Sequence, residues 1–342
     1  MVDIAPLVAY VSFMTLTLPP ASCQLSVIVP CLNEQDSLPH FHTRLSAACQ
    51  RSVGDDYEII FINDGSTDNT LSVLQDLWHH DRHCVVVDLA RNHGHQAALT
   101  AGLSYANGAL ILVIDADLQD PPELLPKMLA LLEQGADVVY GQRRSRTGEP
   151  WLKQISAHYF YRLLGWLADT AIPLDTGDFR LMRRHVVETL CNMPEYHRFI
   201  RGMVAWIGFT QVPLLYDREP RHAGTTHYNL GSMLRFAGDA ITGFSVRPLR
   251  LALLAAAFGL GLAMLLLFYT FYSFFVSGVV PGWTSLLLVF LVFSTLQLFC
   301  LGVMGEYIGR IYMQSKSRPL FIVREVMAAR TTTRSAPPEP IA

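Results

Sequence analysis

The chain of 342 residues has room for one sizeable soluble domain and a second structural unit. Apolar residues make up 51% and charged residues 16%, low for a purely soluble chain, and the net charge of −3 argues against a general nucleic-acid binder. Cys23, Cys31, Cys49, Cys84, Cys191 and Cys300 lie far apart with no CxxC pair, so neither a disulfide framework nor a zinc motif is written in the sequence and reduced thiols on a cytosolic domain are expected.

Residues 1–24 contain a moderately apolar stretch, Leu7–Leu18, with no Lys or Arg ahead of it and Pro19-Pro20 behind it. A secretory signal requires a basic leading segment. The stretch is therefore read as a disordered extension, or as an over-long start with Met14 as the alternative.

From residue 25 the pattern alternates regularly. Apolar runs at Leu25–Val29, Ile59–Ile62, Val85–Leu89, Leu110–Ile114 and Val138–Tyr140 read as strands. Helical spacing fills the intervals around Ser37–Gln50, Thr70–His79, Gln96–Tyr105 and Glu123–Leu132. Such alternation predicts an α/β fold with a doubly wound, mainly parallel sheet, whose ligand crevice lies outside the carboxyl ends of the strands.

The segments that follow the strands carry the chemistry. Pro30-Cys31-Leu32-Asn33-Glu34 follows the first and Asn63-Asp64-Gly65-Ser66-Thr67-Asp68 the second. Both suit plain turns and helix caps, yet Glu34 and Asp64 are also placed to accept hydrogen bonds from a nucleobase or ribose. Arg91 to Gln96 opens a helix whose free N–H groups, with Arg91, suggest an anion site. No GxGxxG follows the first strand and no GxxxxGK[ST] occurs, which removes the main support for a dehydrogenase or P-loop reading. After the fourth strand comes Asp115-Ala116-Asp117-Leu118-Gln119, closed by Pro121-Pro122. On extended backbone, side chains two apart share a face. Asp115, Asp117 and Gln119 would then offer hard oxygen ligands suited to Mg²⁺ or Mn²⁺ carried in with a diphosphate. A turn with an Asp helix cap is the plain alternative.

Trp151–Ala168 has helical apolar spacing with Lys153, His158 and Arg162 among it, fitting either a core helix or one at a membrane interface. Tyr228–Val246 carries a second apolar stripe leading into Arg247-Pro248-Leu249-Arg250. From Leu251 to Gly305 there is no Asp, Glu, Lys, Arg or His. That tract exceeds two bilayer crossings at about 20 residues each. Breaks at Ser277-Gly278 and Pro281-Gly282 divide it into Leu249–Val276 and Trp283–Ile308, a two-helix transmembrane hairpin. Arg247 and Arg250 precede it, Arg310, Lys316, Arg318 and Arg324 follow it, and the linking loop is uncharged. Both ends, and with them the catalytic domain, are then expected on the cytoplasmic side of the inner membrane.

PxxNE, NDGSTD, ARNHGHQAALTAGL and DADLQDPP, in that order, resemble the family 2 glycosyltransferases of GT-A fold. Gly177-Asp178-Phe179-Arg180-Leu181 and Arg221-His222-Ala223-Gly224-Thr225-Thr226-His227-Tyr228 resemble, more narrowly, the polyprenyl-phosphate glycosyltransferases. That group includes dolichyl-phosphate mannose synthases and bactoprenol glucosyltransferases; the C-terminal hairpin matches the latter. The QxxRW motif of processive synthases is absent.

The resemblance implies that Pro30, Glu34 and Asp64 hold the nucleoside, and that Asp115, Asp117 and Gln119 hold the metal. Arg221 would reach the diphosphate, and Arg180, Thr226 and His227 the acceptor phosphate. Asp178 would orient a reactant or act as base, and with Asp117 it forms the catalytic pair. His227 stands where the family usually carries Lys, and His95 where many relatives do. The implied reaction moves a hexose, with glucose from UDP-glucose the leading choice, onto undecaprenyl phosphate. A GDP-sugar donor, a diacylglycerol acceptor, and an inactive membrane partner of a flippase or polymerase are the alternatives; a homo-oligomer is also implied. The resulting layout is 1–24 extension, 25–228 catalytic domain, 229–248 interfacial helix, 249–308 membrane helices and 309–342 cytoplasmic tail.

Overall fold

The computed structural model describes residues 22–144, 176–217, 245–277 and 282–328. The apolar runs become strands β1 (Cys23–Cys31), β2 (Tyr57–Asn63), β3 (Cys84–Leu89), β4 (Gly108–Val113) and β5 (Val138–Arg143). Between them lie helices α1 (Leu38–Val53), α2 (Thr70–His80), α3 (His95–Tyr105) and α4 (Leu125–Glu133). β1 pairs in parallel with both β2 and β4, and β2 with β3. Helices cover both faces of this unit, so its strands must be apolar throughout rather than alternating. Val27, Ile28 and Val29 are accordingly fully buried, with Phe41 and Leu45 of α1 in the core on one side and Ala98 and Leu99 of α3 on the other.

Three further strands complete an eight-stranded sheet in the order β7-β5-β6-β4-β1-β2-β3-β8. β6 (Thr176–Arg183) runs antiparallel between β4 and β5, and β7 (Gln211–Tyr216) flanks β5 in parallel. Two short helices, α5 (Arg184–Asn192) and α6 (Ile200–Ile207), lie between β6 and β7. The GDFRL motif is thus part of a strand rather than a turn. Phe179 and Leu181 enter one core and Met182 the other, as a period of two requires. Asp178 and Arg180 share the face of Met182, the side on which α3 packs.

Helices α7 (Arg247–Ser277) and α8 (Trp283–Ser315) hold the uncharged tract. Two stretches, Arg247–Tyr269 and Val292–Ser315, are long and apolar enough to cross a membrane. Leu253, Phe258, Phe268 and Phe275 point outward from α7, which suits lipid and not water. The helices pack antiparallel: Tyr307 Oη donates to Ser245 O at 2.6 Å, and a Cβ on Gly259 would stand 2.7 Å from Leu296 Cδ2. A small residue there lets the two backbones approach.

The segment after α8 folds back onto the sheet. β8 (Val323–Met327) returns from α8 to pair antiparallel with β3, and Trp78 Nε1 donates to Ala328 O at 3.1 Å. Arg324 reaches Asp88 Oδ2 at 3.0 Å, and Asp88 Oδ1 accepts from Asn63 Nδ2 at 2.7 Å. The return covers the edge of β3, which would otherwise present unpaired backbone groups.

Candidate active site

The carboxyl ends of β1, β2 and β4, with the first turn of α3, form a crevice lined by Pro30, Glu34, Asp64, His95, Asp115 and Asp117 among others. Its walls are tied across the loops. Asn33 Oδ1 accepts from Thr67 N at 2.9 Å, Glu34 N donates to Thr70 Oγ1 at 2.8 Å, and Ser37 Oγ donates to Glu34 Oε2 at 2.6 Å. Gly65 has φ +64°, and a Cβ there would stand 2.4 Å from Asn92 N. Only glycine fits both the left-handed backbone and the neighbouring loop. Gly65→Ala should cost about 1–3 kcal/mol through strain and overpacking, read as a lower denaturation midpoint at unchanged m-value.

The loop before α3 corrects one sequence expectation. The N–H groups of His93 and Gly94 are taken by the carboxylate of Asp64, at 2.7 and 3.0 Å. The protein supplies its own anion there, so these donors do not form an open phosphate site. Burial raises the pKa of Asp64, partly offset by those two backbone bonds.

The acidic segment after β4 also departs from the extended geometry expected of it. Leu118 has φ +60° and is buried, and Asp117 Oδ1 accepts from Gln119 N at 3.1 Å. The chain turns at Leu118 to bury its side chain, which breaks the period of two. Asp115 and Asp117 line the crevice, whereas Gln119 is not among the lining residues. Asp115 Oδ1 is buried without a hydrogen-bond partner, 3.9 Å from His95 Nε2. Burial is the main cause that lifts the Asp115 pKa to about 6, with Asp178, Asp120 and Asp117 adding to it against the pull of His95. An orphaned carboxylate oxygen beside a second carboxylate is a donor set that fits a hard divalent cation.

Behind these carboxylates is a group that only the tertiary structure assembles. β6 pairs Arg180 with Val113 of β4, and continuing that register brings Asp178 level with Asp115. Asp178 is 2% exposed; Arg201 of α6 forks onto it, Nε to Oδ1 at 2.8 Å and Nη2 to Oδ2 at 3.0 Å. Arg201 Nη1 donates to Thr176 O at 2.9 Å. His95 Nε2 lies 2.9 Å from Asp178 Oδ2, and the adjacent Gln96 Oε1 accepts from Ile200 N at 2.9 Å, so the start of α3 holds both Asp178 and the helix that carries Arg201. Burial alone would raise the Asp178 pKa, but the Arg201 charge and the His95 and Arg201 bonds hold it well below the usual carboxylate range.

Arg180 is 4% exposed, and its guanidinium donates to Gly177 O and Asp178 O at 3.2 and 3.3 Å. Burial brings its pKa down to about 10. On the other face of β6, where Tyr216 packs edge-on against Phe179, the Tyr216 hydroxyl donates to Asp120 Oδ1. Arg221, Thr226 and His227, and both sequence-predicted amphipathic helices but for the end of the second, lie outside the described residues. Sequence reasoning missed Arg201; the one available signal was a lone cation in the apolar segment Ile200–Ile207.

For His95, burial acts downward, but its bond to Asp178 and the charges of Asp115 and Asp178 give a net rise above the ordinary histidine value. A folded-state pKa above the unfolded value of about 6.5 contributes stability that is complete below pH ~6.5. That contribution is lost as the pH climbs through the folded-state value. Thermal melts in EDTA should therefore show wild type losing stability on the alkaline side of pH ~6.5, with a flatter profile for His95→Gln. Parallel profiles would contradict the assignment.

A doubly wound sheet with a carboxylate-lined crevice at its strand ends is an α/β architecture that binds its ligands at that edge. The Glycosyl transferase family 2 profile matches residues 26–191, and the chain belongs to that family of glycosyltransferases. It is 44% identical over 303 residues to the uncharacterized glycosyltransferase YkcC of Bacillus subtilis, covering 88% of this chain and 94% of that one. It is 37% identical over 302 residues to the bactoprenol glucosyl transferase of Shigella phage SfV, covering 88% and 98%. To the prophage bactoprenol glucosyl transferase homolog of Escherichia coli K12 the identity is 37% over 309 residues, covering 89% and 99%. Among solved structures, glucosyl-3-phosphoglycerate synthase from Mycobacterium tuberculosis, solved with Mn²⁺, UDP-glucose and phosphoglyceric acid, superposes with a TM-score of 0.43 at 19% identity over 65% of this chain and 78% of that one.

Proposed function

We propose that the protein is a membrane-bound inverting glycosyltransferase that moves a hexose, glucose first, from a UDP-sugar to undecaprenyl phosphate. The observation that carries this is the carboxylate-lined crevice with the orphaned Asp115 oxygen, in a chain whose bactoprenol glucosyl transferase relatives align over nearly their whole length. The two apolar helices would hold the crevice at the surface from which a lipid acceptor is reached, and the arginines at both ends of the hairpin favour a cytoplasmic crevice.

Pro30, Glu34 and Asp64 would bind the nucleoside at the ends of β1 and β2. Asp115 and Asp117 would hold Mg²⁺ or Mn²⁺, with Gln119 the next oxygen along the turn; when bound, the ion neutralises charge on the diphosphate. Arg221 would add a positive charge at the same diphosphate. A phosphate oxygen of the acceptor attacks the anomeric carbon, the bond to the UDP oxygen breaks, and the configuration inverts. A phosphate monoester has a second pKa of about 6, so the acceptor is already largely dianionic at neutral pH. No strong base is then required. Asp178, with both oxygens engaged by Arg201 and His95, suits orientation of a reactant better than proton removal. Arg180, with Thr226 and His227, would contact the acceptor phosphate.

The test incubates membranes containing the protein with labelled UDP-glucose, UDP-GlcNAc, UDP-galactose and GDP-mannose in the presence of undecaprenyl phosphate. A mild-acid-labile glycolipid formed from UDP-glucose is the expected product. Transfer only to diacylglycerol, or none from any donor, would overturn the reading.

A further inference from the structure

We propose that His42, Asp81 and Cys84 form a binding site for a zinc-class divalent cation, separate from the acidic crevice. The three come from α1, the residue that ends α2, and the first residue of β3. Cys84 opens a parallel strand, so the cluster lies at the amino end of the sheet, opposite the carboxyl ends that form the crevice. No sequence spacing announces it, because each ligand belongs to a different element.

The side chains converge on one point. Asp81 Oδ2 is 2.9 Å and Cys84 Sγ 3.4 Å from His42 Nε2, and one atom from each of the three residues lies within 4.8 Å of the others. Ser46 Oγ is 3.2 Å from the same nitrogen. A ring nitrogen has one proton or one lone pair to offer. If Nε2–H donates to Asp81, it has no lone pair left for the thiol or hydroxyl; if it accepts from Cys84, it faces the carboxylate without a proton. The thiol can instead turn its proton to Asp81; a cation at the centre would replace these bonds, taking a lone pair from nitrogen, oxygen and sulfur at once. Tetrahedral zinc with Zn–N and Zn–O near 2.0 Å and Zn–S near 2.3 Å asks the His42–Asp81 and His42–Cys84 pairs to open by only about 0.1–0.4 Å.

The surroundings resemble a prepared outer shell. The other oxygen of Asp81, Oδ1, accepts from His83 N at 2.9 Å and lies 2.8 Å from His83 Nδ1, which leaves Oδ2 aimed at His42. The His83 ring stacks on Tyr57 with centroids 4.2 Å apart and planes 7° from parallel. Outer partners of this kind fix the direction of a ligating carboxylate. His42 and Asp81 are 16% and 19% exposed, which admits the ion and a water as fourth ligand. Binding would release the Cys84 thiol proton to solvent and tie α1, α2 and β3 together. A nitrogen–oxygen–sulfur set favours zinc or cobalt over the Mg²⁺ and Mn²⁺ suited to carboxylates alone.

The test titrates full-length, chelator-stripped protein in detergent with Co²⁺, with Mg²⁺ in excess to occupy oxygen-only sites. The expected result is a near-ultraviolet thiolate-to-cobalt band saturating at one equivalent, displaced by zinc, absent in Cys84→Ser and kept in Cys191→Ser. Zinc should also raise the melting temperature of wild type and leave that of His42→Gln unchanged, a second reading should Cys84→Ser fold poorly. No band in wild type would mean that a hydrogen-bonded His–Asp pair is all that the cluster forms, and a band that survives in Cys84→Ser would place the cation elsewhere. Either result overturns the proposal.

Discussion

Replacing Asp117 by alanine is expected to slow sugar transfer by about a hundred- to a thousandfold, the range seen when one preorganised electrostatic contact to developing charge is removed. Asp117 lines the crevice, and its Oδ1 receives the Gln119 N–H at 3.1 Å. Loss of that bond costs about 1 kcal/mol, or roughly 2–4 °C in a domain of this size. The effect should thus fall on rate and not on folding. Steady-state transfer beside a thermal melt separates the two, and a variant with full activity would remove Asp117 from the chemistry.

Arg201→Ala is expected to act on both. Asp178 is 2% exposed, and removing one member of a buried ion pair costs about 3–5 kcal/mol because the other charge stays desolvated. His95 remains as a partner for Asp178, so about 3 kcal/mol is expected, a fall of roughly 6–12 °C in melting temperature. Arg201→Lys restores the charge but not the planar fork that meets both carboxylate oxygens. It should recover much of the stability and little of the turnover, with KM for the sugar donor close to wild type. If lysine restored turnover fully, Arg201 would matter only for its charge and the directional hold on Asp178 would be dispensable.

The half of the sheet that carries the crevice loops was legible because a parallel strand covered on both faces leaves an unbroken apolar run, as in Leu25–Val29 and Ile59–Ile62. β6, β7 and β8 left no such trace. β6 places Asp178 and Arg180 inside a strand because charges on neighbouring elements neutralise one another there, and that pairing exists only after folding. β8 is a five-residue segment with Arg324 and Glu325 in it, and it becomes a strand because β3 has an open edge beside it. Asp115 and Asp117 were readable as a pair, but the assumed extended backbone was not, since the inward demand of Leu118 turns the chain. The free N–H groups expected before α3 were claimed by Asp64, a contact 29 residues away in sequence. Arg201 belongs to no motif; its role follows from where α6 packs.

The most direct measurement of the account is calorimetric titration of the purified protein with UDP, in Mn²⁺ and again in EDTA, for wild type and Asp115→Asn. UDP binding that depends on Mn²⁺ in wild type and is lost in the variant is the predicted result. Equal binding in EDTA, or binding that the variant retains, would contradict it.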